Sequence, residues 1–257
     1  MESIKNTKAI SHIIGGFCIV LANLSFFSAL ASIPLANASA IFFVAPLLIT
    51  ALSALILKEN VGFRRWSALV VGMIGVLLII KPGSINFEWA ILLPLVAALA
   101  YSLKNIIARN MGLSEAAVTM SFYLHITFIA SCAIMGILFG DGKFAVGDDP
   151  AVQFIFRPWV MPSGEMMIII FVAGISSALG GYYISQAYRH SSASLVAPFE
   201  YSTLPLAIFW GYFIWDELPD LFSGVGIVLI MASGIFVALR EGKREGEPSA
   251  KRVSGRR

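Results

Sequence analysis

Charged residues are scarce in this sequence. Asp, Glu, Lys and Arg together make up 13% of the 257 residues, whereas soluble proteins carry about 25%. Hydrophobic residues make up 58%, and the mean hydropathy is +0.84. This composition excludes an ordinary soluble domain, because too few charged side chains are present to cover its surface. We therefore predict an all-α integral membrane protein.

Cysteine is also scarce, and no motif of catalytic chemistry is present. Cys18 and Cys132 both lie inside apolar runs without a CxxC or Cys/His spacing, so the sequence predicts neither a disulfide framework nor a metal site. The apolar runs contain no HExxH, no GxSxG and no paired aspartates, which argues against an intramembrane enzyme. We expect no catalytic residue, no cofactor, no metal and no nucleic-acid partner.

Long apolar runs are abundant. About 20 apolar residues are needed for a helix to cross the roughly 30 Å of hydrocarbon in a lipid bilayer. Eight runs of about that length are predicted, at 12–32, 36–57, 64–81, 88–107, 117–139, 166–188, 193–215 and 221–240. The sequence therefore predicts a polytopic bundle of about eight transmembrane helices.

The cations indicate how the bundle is oriented. The side of the N-terminus carries Lys5, Lys8, Lys58, Arg64, Arg65, Lys104, Arg109, Arg189 and the basic tail after Leu239, and the other side carries Lys81, Lys143 and Arg157. Because Lys and Arg accumulate in cytoplasmic loops, both termini are predicted to be cytoplasmic in a multi-pass protein of the cell (inner) membrane. The long loop from Gly140 to Glu165 then lies outside.

A repeat relates the two ends of the chain. An offset of 158 positions places Gly16 on Gly174 and Glu59 on Glu217, and the apolar runs on both sides keep the same phase. The basic connection 58–65 lies inside, whereas its acidic counterpart 216–223 lies outside. The same motif therefore faces opposite sides of the membrane, and such inverted-topology repeats are typical of secondary transporters.

Two segments, Pro34–Gly83 and Ser192–Leu239, resemble the EamA type of the drug/metabolite transporter superfamily. The residues around Pro198 are similar to those of members described as S-adenosylmethionine uptake transporters. The resemblance implies a secondary carrier that moves a small organic metabolite, such as S-adenosylmethionine or a related compound, across the membrane by alternating access.

The resemblance also predicts the division of the chain. Family members have ten helices in two units of five, whereas residues 1–83 hold three helices and residues 84–240 hold five, followed by a basic cytoplasmic tail over 241–257. The first two helices of the family pattern are therefore expected to be absent. An oligomer can supply the missing wall, and the alternative function is that of a non-transporting truncated remnant or an associating membrane subunit.

Glu200 is the sharpest candidate for a binding residue. It lies about seven residues into the seventh helix, where a carboxylate that faced lipid would cost about 2.5–3.5 kcal/mol. We therefore expect it to face the bundle interior, where it permits proton coupling, although a buried hydrogen bond that serves packing alone is an alternative. Tyr201, Tyr182 and Gln186 complete the predicted substrate-binding set, because aromatic and amide groups suit a ring-bearing substrate.

Proline, glycine and lysine residues inside the runs have structural interpretations. Pro46, Pro198 and Pro205 are predicted to kink their helices, since proline deprives an upstream carbonyl of its donor. Lys104 is interpreted as a side chain that reaches to the cytoplasmic interface. Close helix packing is predicted at several glycines, which are Gly72, Gly75, Gly174, Gly180, Gly181, Gly224 and Gly226.

Overall fold

A computed structural model describes residues 9–58, 61–83, 88–111, 117–190 and 199–245. Within these ranges every regular element is helical, so the predicted all-α fold class is confirmed. The helices are α1 Ala9–Ala29, α2 Leu35–Phe42, α3 Ala45–Ile56, α4 Phe63–Ile80, α5 Leu93–Met111, α6 Ala117–Phe139, α7 Pro150–Phe156, α8 Gly164–His190, α9 Thr203–Trp215 and α10 Leu221–Glu245, with a 3-10 turn at Trp89–Leu92.

Five helical segments are long and apolar enough to cross a membrane, namely Ile10–Ala29, Leu35–Ile56, Phe63–Ile80, Trp89–Ala108 and Leu221–Arg240. Three shorter apolar helices, Tyr123–Phe139, Gly164–Ser176 and Thr203–Trp215, accompany them. Together they overlap the eight predicted runs. The protein is therefore a multi-pass helical membrane protein.

Helices α4 and α10 form an extensive contact in the bundle. A Cβ atom on Gly75 would lie 2.7 Å from the carbonyl oxygen of Gly226, and one on Gly226 would lie 2.7 Å from Cγ1 of Ile79. Backbone therefore approaches backbone more closely than side chains would allow, as small residues permit between membrane helices. Later residues of one helix meet earlier residues of the other, so the two helices are antiparallel.

The contacts between α4 and α10 have a local two-fold relationship. A Cβ on Gly72 would lie 3.0 Å from Oγ of Ser233, and one on Gly75 would lie 2.9 Å from Cγ1 of Ile230. The offset of 158 places position 72 on 230 and position 75 on 233. The contact of Gly72 with Ser233 is therefore equivalent to the contact of Ile230 with Gly75. This equivalence supports the predicted repeat, while the division of the chain into two units stays a prediction.

The expected close packing is wrong at three other glycines. At Gly174, Gly180 and Gly224 an added Cβ would meet no atom of the described residues within 4 Å. The first two lie on α8, where the side chains of 164–176 are exposed. Glycine permits a close approach, but a neighbouring helix must be present to use it.

The long loop from Gly140 to Glu165 contains a short helix that the sequence interpretation missed. Helix α7 begins after Asp149, whose carboxylate accepts hydrogen bonds from the backbone N–H of Ala151 at 2.8 Å and of Val152 at 3.2 Å. Pro150 occupies the first helical position, where its missing N–H costs nothing. This capped turn packs against α1.

Candidate functional site

Among the described residues, two helical segments are interrupted at equivalent positions, one within the apolar span Leu35–Ile56 and one just before α9. The first falls at Phe43 and Val44, between α2 and α3, and the second falls at Tyr201 and Ser202, just before α9. The offset of 158 places Phe43 on Tyr201 and Val44 on Ser202. Interrupted helices in corresponding positions of two halves are the best sequence-level indicator of a transporter's binding site.

Proline explains why hydrogen bonding changes at each interruption. Pro46 has no N–H to offer the carbonyl of Phe42, and Pro205 has none for the carbonyl of Tyr201. The carbonyl oxygen of Tyr201 instead accepts a hydrogen bond from the N–H of Leu204 at 3.1 Å, one residue closer than in an α-helix. Pro46 and Pro205 thus lie in the first turn after each interruption, while Pro198 lies outside the described residues.

The two interruptions meet inside the bundle. The ring centroids of Phe43 and Tyr201 lie 5.4 Å apart. From Leu35, the start of α2, eight residues at 1.5 Å each put Phe43 about 12 Å along the apolar span Leu35–Ile56, close to its middle. Neighbouring aromatic rings extend the contact, and we call Phe26, Phe42, Phe43, Tyr101 and Tyr201 the aromatic cluster.

Tyr201 is a polar member at one end of this cluster, where its ring contacts that of Phe43. It is only 3% exposed, and its hydroxyl lies so close to Gly234 that no side chain could be accommodated there. The hydroxyl has no hydrogen-bond partner among the residues that the structure describes. A buried polar group without a partner costs about 1–3 kcal/mol, and such groups merit a functional explanation.

Helix α5 contributes Tyr101 to the aromatic cluster and two further polar contacts beside it. The ammonium of Lys104 lies 5.5 Å from the centroid of the Tyr101 ring, which is the range of a cation–π contact. The hydroxyl of Ser102, which is buried, lies 3.1 Å from the carbonyl oxygen of Ala45, the first residue of α3. This contact ties α5 to the interruption in the first helix.

Sequence reasoning missed two contacts of the aromatic cluster, those of Lys104 and Phe43. Lys104 is predicted to reach to the cytoplasmic interface, and the structure adds that its ammonium lies against the Tyr101 ring of the aromatic cluster. Phe43 received no role because a phenylalanine in an apolar run carries no signal of its own. Its equivalence to Tyr201 under the offset of 158 was the one available indication.

The structure locates the predicted binding residues as follows. Glu200 is partly buried and immediately precedes Tyr201, so both residues lie at the second interruption. Tyr182 and Gln186 belong to α8, but their side chains lie outside the described part of the chain. A site formed by all four residues therefore stays a prediction.

Two cavities open near the helix ends that lie far from the N-terminus. One, of about 310 Å³, lies between α1, α6 and α7, and its mostly apolar lining includes Asn23, Phe27, Phe128, Ser131, Arg157 and Trp159. The other, of about 340 Å³, is lined by Leu30, Ala31, Ser32, Ile33, Leu35, Trp215 and Glu217. Neither Glu200 nor Tyr201 lines either cavity, and the side chains of Tyr182 and Gln186 lie outside the described part of the chain.

Comparisons with known proteins connect this architecture to transport. A model of the EamA-like transporter family matches residues 3–81. The S-adenosylmethionine uptake transporter of Rickettsia felis is 28% identical over 94% of this chain and 76% of its own length. The riboflavin transporter of Rhizobium johnstonii is 28% identical over 90% and 72%, and an uncharacterized transporter of Helicobacter pylori is 29% identical over 88% and 71%.

Proposed function

Because the chain belongs to the EamA-like transporter family and is a membrane transporter of small metabolites, we propose that it carries its substrate by alternating access through the aromatic cluster. In this mechanism the two halves rock against each other, and the cluster is exposed first to one side of the membrane and then to the other. The pair of interrupted helices is the observation that carries this proposal.

The interrupted helices support the mechanism for a physical reason. An unbroken helix satisfies its backbone groups internally and offers a substrate no backbone polar group, whereas an interruption can leave carbonyl and N–H groups available within the bilayer. Phe43 and Tyr201 lie at these interruptions and touch each other. Movement of one half against the other would separate or close this contact.

The proposed substrate is S-adenosylmethionine or a related ring-bearing compound. Relatives of this chain are named for S-adenosylmethionine and for riboflavin, which both contain fused aromatic rings. The aromatic cluster can stack on such rings. In this proposal the Glu200 carboxylate attracts the cationic centre and the Lys104 ammonium attracts the carboxylate of the substrate.

Uptake into sealed vesicles tests the proposal. Vesicles that contain the full chain are expected to accumulate labelled S-adenosylmethionine in a saturable manner, faster than vesicles without protein. Labelled riboflavin and unlabelled competitors in parallel define the substrate class. If the inserted, folded protein moves none of these compounds, the transport proposal is overturned in favour of a non-transporting membrane protein.

A further inference from the structure

The cavity between the C-terminal ends of α1 and α9 is a second, separate place for a small molecule. We call it the outer pocket, lined by Leu30, Ala31, Ser32, Ile33, Leu35, Trp215 and Glu217. Its volume of about 340 Å³ falls within the roughly 300–1,000 Å³ of small-molecule sites. It shares no residue with the aromatic cluster, so it requires a separate explanation.

The end of α1 gives the outer pocket a negative potential. The backbone N–H groups of Ser32 and Ile33 both turn back to the carbonyl oxygen of Ala29, at 2.9 Å each. Pro34 has no N–H to donate to the carbonyl of Leu30, four residues earlier. Unsatisfied carbonyls at a helix C-terminus act as about half a negative charge, and they lie at the wall of the pocket.

The end of α9 adds a full negative charge. Asp216 ends the helix in the left-handed conformation, with φ of 56°, and the N–H of Glu217 then donates to the carbonyl of Gly211 at 3.2 Å. This turn places Glu217, partly buried, at the pocket. Its carboxylate forms no ion pair within the described residues, so the negative charge remains available to a ligand.

Two further side chains complete the site. Ser32 lines the pocket. Its Oγ atom is buried and has no hydrogen-bond partner within the part of the chain that the structure describes. Trp215 contributes an indole ring, whose negative face attracts cations. A hydroxyl, an indole and a carboxylate together match an organic cation that carries polar and apolar parts.

The same features argue against a metal ion. No group of three or more His, Cys, Asp or Glu side chains that could hold a metal is found among the described residues. Calcium takes 6–8 oxygen ligands, whereas the pocket offers one carboxylate and a wall of Leu and Ile. An ammonium or sulfonium centre on an organic body needs fewer polar contacts and gains from the apolar wall.

The surrounding face favours cations over a longer range. The segments that join helices at this end carry three cations, and Lys81 and Lys143 are each paired with a carboxylate. The same segments, with the first turn of α8, carry eight carboxylates, at Glu88, Asp141, Asp148, Asp149, Glu165, Asp216, Glu217 and Asp220. A face with this charge balance raises the local concentration of cations.

We propose that the outer pocket is a binding site for an organic cation with an ammonium or sulfonium centre, held by the Glu217 carboxylate, the Trp215 ring and the Ser32 hydroxyl. The site goes beyond the proposed transport path, because it lies at the helix ends and not at the interruptions. It would select cationic compounds at the face that is predicted to be extracytoplasmic.

Calorimetric titration of the full chain in lipid nanodiscs tests this site. Choline is the probe, and its neutral isostere 3,3-dimethylbutan-1-ol has nearly the same shape without the charge. Choline is expected to bind at least about tenfold more tightly than the isostere, because a fixed carboxylate near the ligand is worth this factor or more in a partly screened site. Equal binding of the two probes, or no binding of choline, would overturn the proposal.

Substitutions locate the probe within the structure. Glu217→Gln is expected to weaken choline binding about tenfold or more, and Ser32→Ala is expected to weaken it less. The matched control is Asp216→Asn, which removes the neighbouring, exposed carboxylate and is expected to change the dissociation constant less than twofold. Wild-type affinity in folded Glu217→Gln would contradict the proposal, whereas failure of vesicle uptake with Glu217-dependent choline binding intact would overturn only the transport proposal.

Discussion

The rings of Phe43 and Tyr201 lie 5.4 Å apart between centroids, and the two residues are separated by the same 158 positions that relate the repeats. Each lies where a helical segment is interrupted. A contact between two equivalent residues is expected at a two-fold axis, because the axis exchanges the partners and leaves the contact in place. In the proposed alternating-access mechanism, this contact is the point about which the two halves would rock.

Replacing Gly75 with alanine tests the close packing of α4 against α10. The new Cβ would lie 2.7 Å from the carbonyl oxygen of Gly226, so the helices must separate. We expect Gly75→Ala to lower the free energy of unfolding by about 1–3 kcal/mol, as overpacking does, measured by thermal unfolding in detergent.

The matched control for that substitution is Gly224→Ala on α10. No atom of the described part of the chain lies within 4 Å of the added Cβ, so this variant should be neutral or up to about 1 kcal/mol more stable, because alanine favours helix. Equal destabilisation of the two variants would contradict the proposed role of Gly75.

Removing the hydroxyl of Tyr201 tests its role at the interruption. Tyr201→Phe deletes a buried group that has no partner within the described residues, so the unfolding midpoint should stay unchanged or rise slightly. Uptake of labelled S-adenosylmethionine should fall about tenfold if the hydroxyl bonds a polar substrate group. Tyr212→Phe, at an exposed position of α9, should change neither measurement. Wild-type uptake by Tyr201→Phe would contradict a role of the hydroxyl in substrate binding.

Replacing Glu200 with glutamine tests proton coupling. Glutamine keeps the shape of the side chain but cannot take up a proton, so uptake by Glu200→Gln should lose its dependence on pH if Glu200 carries the proton. Glu165→Gln, in the exposed first turn of α8, should keep the wild-type profile. An unaltered pH profile in folded Glu200→Gln would exclude this carboxylate as the coupling group.

The pair of Lys81 and Asp220 predicts how stability depends on pH. The Lys81 ammonium, followed by the hydroxyl and backbone N–H of Ser223, lowers the pKa of Asp220 to about 2. The usual value is about 3.9. Because the folded-state pKa is lower than the unfolded one, the stabilisation is present above pH of about 4 and is lost as the pH falls towards about 2.

Asp220→Asn should therefore remove part of the loss of stability on acidification. Asparagine can still cap α10, so the variant changes the charge and keeps the cap. The difference from wild type should be less than about 1 kcal/mol, because both partners are partly exposed and such pairs are weak. Thermal unfolding between pH 7 and 3 measures it, with Asp216→Asn as the exposed control. Parallel curves for wild type and Asp220→Asn would contradict the assignment.

The sequence predicted those features that depend on neighbouring residues. Apolar runs of membrane-spanning length identified the helices, because lipid requires an apolar side-chain surface whatever the helix packs against. Pro46 and Pro205 indicated where hydrogen bonding would change, since proline acts on a carbonyl only four residues away. Glu200 and Tyr201 drew attention as polar residues within an apolar run.

The tertiary structure decided which of these residues meet. Gly75 and Gly224 look alike in sequence, but only Gly75 has a partner backbone against it. Lys104 faces the Tyr101 ring, and Phe43 touches Tyr201. The sequence by itself therefore determined a helical membrane protein, because the hydrophobic effect acts on each run separately. The pairing of side chains needed the folded bundle, because residues 158 positions apart come into contact only through helix packing.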